Sequence, residues 1–122
     1  MTEPTTAANC IFCKIVRGEI PSQKVYEDDE VFAFKDVRPA APVHVLLVPK
    51  RHVDSLYEAG LDHAPILGRL LGLAGRIARE QGATDGFRTI VNTGRVGGQE
   101  VYHLHIHVIG GPKPLGQMIV RQ

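Results

Sequence analysis

The order of elements along this 122-residue chain predicts an α+β fold with a mostly antiparallel five-stranded sheet. Two observations lead to this prediction. Short β-like segments lie both before and after one long amphipathic segment, and the links between several of them have the length of hairpins. The chain length suits one domain, which we place at residues 10–122, after a polar N-terminal tail at residues 1–9 that we expect to be disordered.

The strands are predicted from alternating or continuous apolar residues at 24–27, 31–36, 44–49, 87–92 and 101–108. The segment HVLLVP at 44–49 is apolar on both faces, so we expect it to be covered on both sides of the sheet. Asp28-Asp29 between the first two strands is suited to a tight turn. Because such a sheet has exposed edges, a homodimer joined across the sheet is a plausible assembly.

Two helices are predicted, one short and one long. The apolar residues between Cys10 and Arg17 recur on one face of a short helix. The long helix is predicted from Asp62 to Gln81, with Asp62 as its N-cap, Pro65 in the first turn and Gly82 at its end.

Composition excludes several classes of function. A formal net charge of +1 gives no electrostatic basis for binding nucleic acid or an anionic membrane surface. No apolar run approaches the ~20 residues that span a bilayer, and the N-terminus lacks the features of a secretory signal. We therefore expect a cytoplasmic protein. In a reducing compartment, the pair Cys10 and Cys13 indicates metal binding, redox chemistry or two inert thiols rather than a structural disulfide.

The segment VYHLHIHV carries three of the six histidines of the chain. Side chains of a strand alternate between faces, so His103, His105 and His107 are predicted on one face and the intervening aliphatic residues on the other. A single zinc ion bound by all three is strained, because the outer two Cα atoms would lie ~13 Å apart and zinc–nitrogen bonds are ~2.1 Å long. A row of imidazoles is better suited to phosphate oxygens, since imidazole serves as a nucleophile or a hydrogen-bond donor near neutral pH.

The loop before this segment strengthens the phosphate hypothesis. Glycines at Gly94, Gly97 and Gly98 allow the backbone to approach an anion, and Gln99 adds side-chain donors. Asn92 lies just before the loop. A glycine-rich loop alone is more often a turn, but here it leads directly into the histidines.

The complete pattern resembles a known family. The segment GGQEVYHLHIHVIGG matches the His-φ-His-φ-His-φ-φ signature of the histidine triad superfamily and looks most like the Hint branch of nucleoside phosphoramidate hydrolases. The likeness extends from Ile11 to about Met118 and includes, in order, IFCKIVRGEIP, VYEDDEVFAFKDVRPAAPVHVLLVPKRHV and GFRTIVNTG. It implies a HIT-like fold.

The resemblance also implies roles for individual residues. His105 would attack the α-phosphate of a purine nucleotide and form a nucleotidyl-histidine intermediate. His107 would hydrogen-bond the phosphate oxygens, His44 would be linked to the triad, and His103 would orient the site. The remaining implied contacts are Asp36 to the ribose hydroxyls, Asn92 and Gln99 beside the phosphate, the backbone amides near Gly98 to Val101, and a purine slot formed by Ile11, Phe12, Ile15, Ile20, Phe34 and Val37.

Two features depart from the best-described Hint members. Glu100 replaces a serine, and an ionised glutamate cannot donate a hydrogen bond near the scissile bond; it would contact a cationic amine leaving group or face solvent, and we favour solvent. The second feature is the pair Cys10 and Cys13. In many bacterial relatives such a pair binds a structural zinc together with residues that correspond to His52 and His103, a closed tetrahedral set. The alternative is two inert thiols.

The leading functional hypothesis is therefore hydrolysis of purine nucleoside 5′-phosphoramidates, such as AMP joined to an amine, with no cofactor required for catalysis. Cleavage of dinucleoside polyphosphates, as in the Fhit branch, is the enzymatic alternative. A nucleotide-binding regulatory module with weak catalysis is the alternative from another class, and Glu100 is the feature that favours it.

Overall fold

The computed structural model describes residues 8–119 of the chain. The helices are α1 (Ile11–Val16) and α2 (Ala64–Glu80), with a 3₁₀ turn at Leu61–His63 just before α2. The strands are β1 (Lys24–Glu27), β2 (Val31–Lys35), β3 (Val43–Pro49), β4 (Phe87–Ile90) and β5 (Ile106–Gly110).

The five strands form one open sheet in the order β1-β2-β3-β5-β4, and all four pairings are antiparallel. This confirms the α+β prediction of a five-stranded sheet with one short and one long helix. Every residue of β3 is buried, as the two-sided apolar pattern of that segment predicts. The sheet therefore places β3 and β5 side by side at its centre.

The sheet separates two hydrophobic clusters, because alternate residues of β2 and β3 face opposite sides. On one side, Val31, Ala33, Val45 and Leu47 pack with residues of α2 such as Leu70. The other side packs against α1 through these residues: Cys10, Phe12, Cys13, Ile15, Phe32, Phe34, Leu46 and Val48. The face that carries α1 is also the face that carries the histidines.

The prediction of a strand over residues 101–108 was wrong in its bounds. Strand β5 begins at Ile106, because this is its first residue paired with β3, opposite Leu47. Its first residue paired with β4 is His107, opposite Ile90. Before that point, the Leu104 amide donates to the Val53 carbonyl at 2.7 Å, outside the ladder. The alternation of faces nevertheless continues: Leu104 lies in the cluster beneath α2, and His103 and His105 contact Phe12 on the other side.

Three local predictions also need correction. Asp62 does not cap α2; it lies in the 3₁₀ turn, where its carboxylate is 3.2 Å from His63 Nδ1, and no side chain caps the helix. Strand β4 ends at Ile90 rather than Asn92, because Ile90 opposite His107 is the last residue of β4 that pairs with β5. The link between β1 and β2 has three residues, and the Asp28 carboxylate closes it by accepting the amides of Glu30 and Val31.

Among residues 8–119, no helix is long and apolar enough to cross a bilayer. The predicted disorder of residues 1–9 falls mostly outside the described residues, and the part that is described, Ala8 and Asn9, forms a turn. The homodimer, the cytoplasmic location and the domain bounds at residues 10 and 122 stay predictions.

Candidate active site

Strand register brings three of the candidate residues together. His44 on β3 lies opposite Ile109 of β5, and its neighbour on the same face, Leu46, lies opposite His107. His44 and His107 are thus diagonal neighbours on one face, within reach of long side chains. Asp36 follows β2 and continues its pairing with β3, since its amide donates to the His44 carbonyl at 3.0 Å. Its carboxylate lies 3.4 Å from His44 Nε2.

The hydrogen bonds of this group determine where each imidazole carries its proton. The Ala40 amide donates to His44 Nδ1 at 2.9 Å, so that nitrogen is an acceptor and the ring proton of neutral His44 is on Nε2. His44 Nε2 then donates to His107 Nδ1, also at 2.9 Å. His107 in its neutral form therefore carries its proton on Nε2, as a donor on the edge of the ring away from His44.

His105 has the opposite arrangement. Its Nδ1 lies 2.8 Å from the His103 carbonyl, which can only accept, so Nδ1 carries the proton. Nε2 of neutral His105 is left with a lone pair. The His105 and His107 rings are 5.0 Å apart, and Phe12 packs edge-on against His105 at 5.2 Å. A lone pair on one ring and an N–H on the next are thus neighbours, which is the combination that a nucleophile and a phosphate donor require.

The environment keeps these rings neutral. Burial lowers the pKa of His105, against the opposing effects of its bond to the His103 carbonyl and of the Asp36 and Glu100 charges. Burial also lowers the pKa of His107 to about 4, and the neighbouring His105 and His44 add to that shift. The pKa of His44 is lowered by burial too, although Asp36 opposes it. All three groups are therefore neutral at pH 7, as a histidine nucleophile must be.

The glycine-rich loop lies beside the histidines and is held by the two amide side chains that the sequence singled out. The Gln99 side chain is buried; it accepts from the Gly94 amide and donates to the carbonyls of Asp54 and Val101. Asn92 donates to the Gly97 carbonyl at 2.8 Å. Both amide groups therefore brace the loop, and the expectation that they contact the phosphate directly stays a prediction.

The loop needs its glycines. Gly98 has a φ of +79°, a conformation that other residues rarely adopt. A Cβ on Gly97 would lie 2.3 Å from the Thr93 carbonyl oxygen, so only glycine fits there. After the loop, Glu100 is exposed, in agreement with the interpretation that it faces solvent, and Val101 is half-buried against the cluster around α1.

The residues of the expected purine slot are only partly brought together. Phe12, Ile15 and Phe34 are buried in the cluster around α1, with Phe12 and Phe34 in edge contact at 5.4 Å and Ile20 packed against them. Ile11 and Val37 are exposed, Val37 to 88%. The buried members belong to the core, the exposed ones lie at the surface, and the purine slot stays a prediction.

A second cluster occupies the same face of the sheet, next to the first. His103 is fully buried, and its Nδ1 lies 3.3 Å from Cys10 Sγ and 3.4 Å from Cys13 Sγ. His52 Nδ1 lies 3.4 Å from Cys13 Sγ. The ligand atoms of these four residues all lie within 4.8 Å of one another. His103 thus belongs with the cysteines, and the triad does not form a three-histidine metal site.

The donor set of this cluster fits a zinc ion. His103 Nε2 donates to the Pro49 carbonyl at 2.8 Å, and His52 Nε2 donates to the Asp54 carboxylate at 2.5 Å, so both Nδ1 atoms face the sulfurs with lone pairs. Two thiols and two such nitrogens are the set of a closed structural site. Burial raises the pKa of the Cys13 thiol to about 12, so a bound cation has to displace its proton.

The group of Asp36, His44 and His107 is also close enough to hold a cation, but its protonation pattern is unsuitable. His44 Nε2 carries a proton because Nδ1 already accepts from Ala40, so binding a metal there requires the loss of that bond. Of these two groups, the cysteine cluster is therefore the one whose donors suit a metal ion.

Sequence reasoning missed Asp54. Its carboxylate orients His52 and its carbonyl accepts from Gln99, so one residue connects the cysteine cluster to the glycine-rich loop. The available signal was a carboxylate two residues after His52. In an extended segment, side chains two residues apart lie on the same face, so Asp54 can reach the His52 ring.

Comparison with known proteins agrees with this architecture. The HIT domain family model matches residues 17–113. Protein HitA of Neisseria gonorrhoeae is 58% identical over 104 residues, which cover 85% of this chain and 97% of that protein. The purine nucleoside phosphoramidase of Escherichia coli is 47% identical over 117 residues, or 95% of this chain and 98% of that protein.

Two further matches concern the metal and the fold. A 14 kDa zinc-binding protein of Brassica juncea is 50% identical over 103 residues, covering 83% of this chain and 91% of that protein. The solved structure of a HIT family hydrolase from Clostridium thermocellum superposes with a TM-score of 0.88 at 44% identity, covering 94% of this chain and all of that one. Fold and site define a domain of the histidine triad class. The chain belongs to the HIT family.

Proposed function

We propose that this protein, as a nucleotide hydrolase of the HIT family, hydrolyses purine nucleoside 5′-phosphoramidates through a covalent intermediate on His105. The observation that supports this most directly is the pair of neighbouring rings with opposite tautomers: His105 with a lone pair on Nε2 and His107 with a proton on Nε2. The name of the Escherichia coli relative indicates the same substrate class.

The proposed reaction has two steps. In the first, His105 Nε2 attacks the α-phosphorus, the P–N bond to the substrate amine breaks, and the departing amine takes up a proton. In the second, water attacks the phosphorus, the bond to His105 breaks, and the nucleoside monophosphate is released. Through both steps His107 donates its Nε2 proton in a hydrogen bond to the phosphoryl oxygens, and the His103 carbonyl stabilises the His105 ring as it becomes positively charged.

The other residues have supporting roles in this proposal. Asp36 accepts from the ribose hydroxyls. Its carboxylate already accepts the Arg38 amide and faces His44, and a carboxylate keeps further lone pairs for such bonds. The apolar residues around Phe12 contact the purine. The loop from Gly94 to Gly98, braced by Gln99 and Asn92, presents backbone amides to the phosphate. The cysteine cluster holds a structural zinc and takes no part in bond cleavage.

The nucleophile is tested by the His105→Ala variant. We expect AMP amide turnover to fall by about a thousandfold or more, while AMP binding, measured by calorimetry, is retained. The matched control is His63→Ala, since His63 lies in the 3₁₀ turn before α2 and its side-chain bonds are to Gly60 and Asp62 of that turn. In the wild type, quenching during turnover followed by mass spectrometry is expected to place a nucleotidyl group on His105. Near-normal turnover by His105→Ala contradicts the assignment.

Substrate class is tested by kcat/KM for three adenylates: AMP amide, adenylyl sulfate and a diadenosine polyphosphate. The second is included because an Arabidopsis thaliana relative, 50% identical over 83% of this chain, is named an adenylylsulfatase. We expect the amide to have the highest value. A higher value for either of the others reassigns the leaving group, and AMP binding without any turnover favours a nucleotide-binding module.

A further inference from the structure

The histidines lie between two ends of the candidate site. Asp36, the proposed ribose ligand, follows β2, whereas the glycine-rich loop follows β4. The strand order β1-β2-β3-β5-β4 puts His44 on β3 and His107 on β5 between these two ends. The nucleoside and the leaving amine are separate substituents of one tetrahedral phosphorus. A nucleoside that extends toward β2 therefore directs the amine toward β4 and the glycine-rich loop.

Tyr57 belongs to a turn that is attached to this loop. The buried Ser55 hydroxyl accepts the Tyr57 amide at 3.1 Å and donates to the Glu58 carboxylate at 2.6 Å. Just before the turn, the Asp54 carbonyl accepts from the Gln99 side chain at 2.8 Å. The backbone of Tyr57 is therefore fixed relative to the loop, although it lies in neither a helix nor a strand.

The Tyr57 ring borders the loop and is open to solvent. A Cβ built on Gly94 would lie 3.8 Å from a ring carbon of Tyr57, and yet Tyr57 is 85% exposed. Val96 in the same loop is 91% exposed. Because tyrosine has only two side-chain torsions, an exposed ring on a fixed backbone offers apolar contact area at a small cost in entropy. The ring is thus suited to contact a ligand that extends over the loop.

Arg95, which directly follows Gly94, adds a cation to the same part of the loop. Its carbonyl accepts the Gly98 amide at 3.1 Å, so its backbone is part of a closed turn. Its side chain is exposed, and none of the residues that the structure describes forms an ion pair or a hydrogen bond with its guanidinium. A guanidinium binds a carboxylate through two parallel hydrogen bonds.

We propose that Tyr57 and Arg95 form a specificity surface for the leaving group and favour phosphoramidates whose amine carries a carboxylate, as in an amino acid. The inference rests on the proposed function for the direction in which the nucleoside lies, and it adds the chemical class of the amine. Arg95 binds the carboxylate, and the Tyr57 ring covers the apolar part of the same group. An amino acid supplies both the nitrogen of the P–N bond and the anion, whereas a sulfate or a second phosphate replaces that nitrogen.

The charge preference is tested with AMP joined through nitrogen to glycine and with AMP joined to glycinamide, which differ mainly in one charge. Their intrinsic reactivities differ, so the ratio of the two kcat/KM values is compared between proteins. We expect Arg95→Gln to lower the ratio of glycine to glycinamide by about three- to fivefold, and the effect to weaken as salt rises. The matched control is Arg79→Gln, which removes an exposed cation from α2 on the other face of the sheet. Its ratio is expected to change by less than about twofold.

A binding measurement separates this proposal from the proposed hydrolysis. The same two compounds are titrated by calorimetry into His105→Ala, with and without Arg95→Gln. We expect the ratio of their Kd values to shift by the same three- to fivefold or so. No turnover is needed, so a shift in Kd together with an inactive wild type contradicts the hydrolysis and supports the specificity surface.

The contribution of the ring is tested with AMP joined to phenylalanine and AMP joined to alanine. Tyr57→Ala is expected to lower the advantage of the phenylalanine compound by about threefold. The matched control is Leu61→Ala, since Leu61 is a 94% exposed apolar residue of the 3₁₀ turn. An equal loss in the two variants contradicts the role of Tyr57.

Three results overturn the proposal for Arg95. The first is a ratio of glycine to glycinamide that Arg95→Gln leaves unchanged in both kinetics and binding. The second is an equal or larger change in Arg79→Gln, because this would show a general effect of net charge. The third is a failure of both compounds to bind to His105→Ala.

Discussion

Two histidine clusters lie next to each other on one face of the sheet, and they differ in which edge of each ring is free. In the cysteine cluster, His103 and His52 donate from Nε2 to protein oxygens and turn bare Nδ1 atoms toward two sulfurs. The other cluster consists of His44, His105 and His107 and is called the phosphate cluster after its proposed role. In it, His44 Nε2–H donates to His107, and His105 Nδ1–H donates to a backbone carbonyl.

Residue type alone does not decide the chemistry of a histidine. The partner on one ring nitrogen determines the state of the other, which is then suited either to coordinate a cation through a lone pair or to donate a hydrogen bond to an anion. Burial does not follow this division, since His52 and His107 are half-buried, one in each cluster, whereas the other three rings are buried. The following changes are expected to affect one cluster and leave the other intact, or to expose the link between them.

The largest expected effect is on stability and comes from Cys10→Ala. Loss of a metal ligand is expected to lower the free energy of unfolding by about 3 kcal/mol, because the closed site is lost and the cap of α1 goes with it. Zinc content by elemental analysis and thermal unfolding by calorimetry measure the two effects. Since small domains have about 5–15 kcal/mol of stability, the variant is expected to stay folded at 25 °C. Unchanged zinc content would show that the cluster is not the metal site.

His107→Ala is expected to break the phosphate cluster without affecting the metal. Removal of the donor to the phosphoryl oxygens should lower kcat for AMP amide by about a hundredfold, while zinc content equals that of the wild type. Steady-state kinetics and elemental analysis on the same preparation check both. Loss of zinc in this variant would contradict the separation of the two clusters.

Acid is expected to destabilise the phosphate cluster through its buried neutral rings. The pKa of His107 is lowered by burial from 6.5 to about 4, so between these values the unfolded chain binds a proton that the folded chain does not. Stability should therefore fall as pH decreases from about 6.5 to about 4. The contribution of His107 is about 1 to 2 kcal/mol, because the ring is half-buried and solvent screens part of the penalty.

Denaturant titrations of the wild type and of His107→Gln across this range measure that contribution. We expect a shallower pH dependence in the variant, which lacks the titrating ring. Equal slopes in the two proteins would mean that other groups account for the acid sensitivity.

The smallest expected effect is that of Glu100→Gln. Because Glu100 is exposed, its charge acts on the site only at a distance, and kcat/KM for an AMP amide with a neutral leaving group should change by no more than about threefold. Kinetics at low and high salt provide the check, since a screened charge loses its influence as salt rises. A change of tenfold or more would place Glu100 in contact with the substrate.

Much of the fold and part of the site could be predicted from the sequence. Alternating or continuous apolar runs located the strands, and the apolar stripe after Asp62 located the long helix, because burial constrains residue type directly. The three histidines were correctly placed on one face, since side-chain alternation is a property of extended backbone even where no ladder forms. The N-cap at Asp62 was wrong, because a 3₁₀ turn that no local signal distinguishes from helix intervenes.

Other features needed contacts between distant residues. The strand that carries the triad begins only at Ile106, because pairing depends on where β3 and β4 end. The contribution of Asp54 and the bracing role of Gln99 depend on hydrogen bonds between segments 45 residues apart. A single sequence does not reveal such pairs.

The order of residues along the chain was enough to specify the sheet, its covered central strand and the histidines and cysteines available for chemistry. Tertiary structure alone decided how the three histidines divide: His103 to the cysteines, His105 and His107 to the phosphate cluster. The physical reason is that an imidazole has two nitrogens and one proton when neutral. Its role is decided by a partner such as the His103 carbonyl, Pro49 or Ala40, which only the folded chain brings within hydrogen-bonding distance.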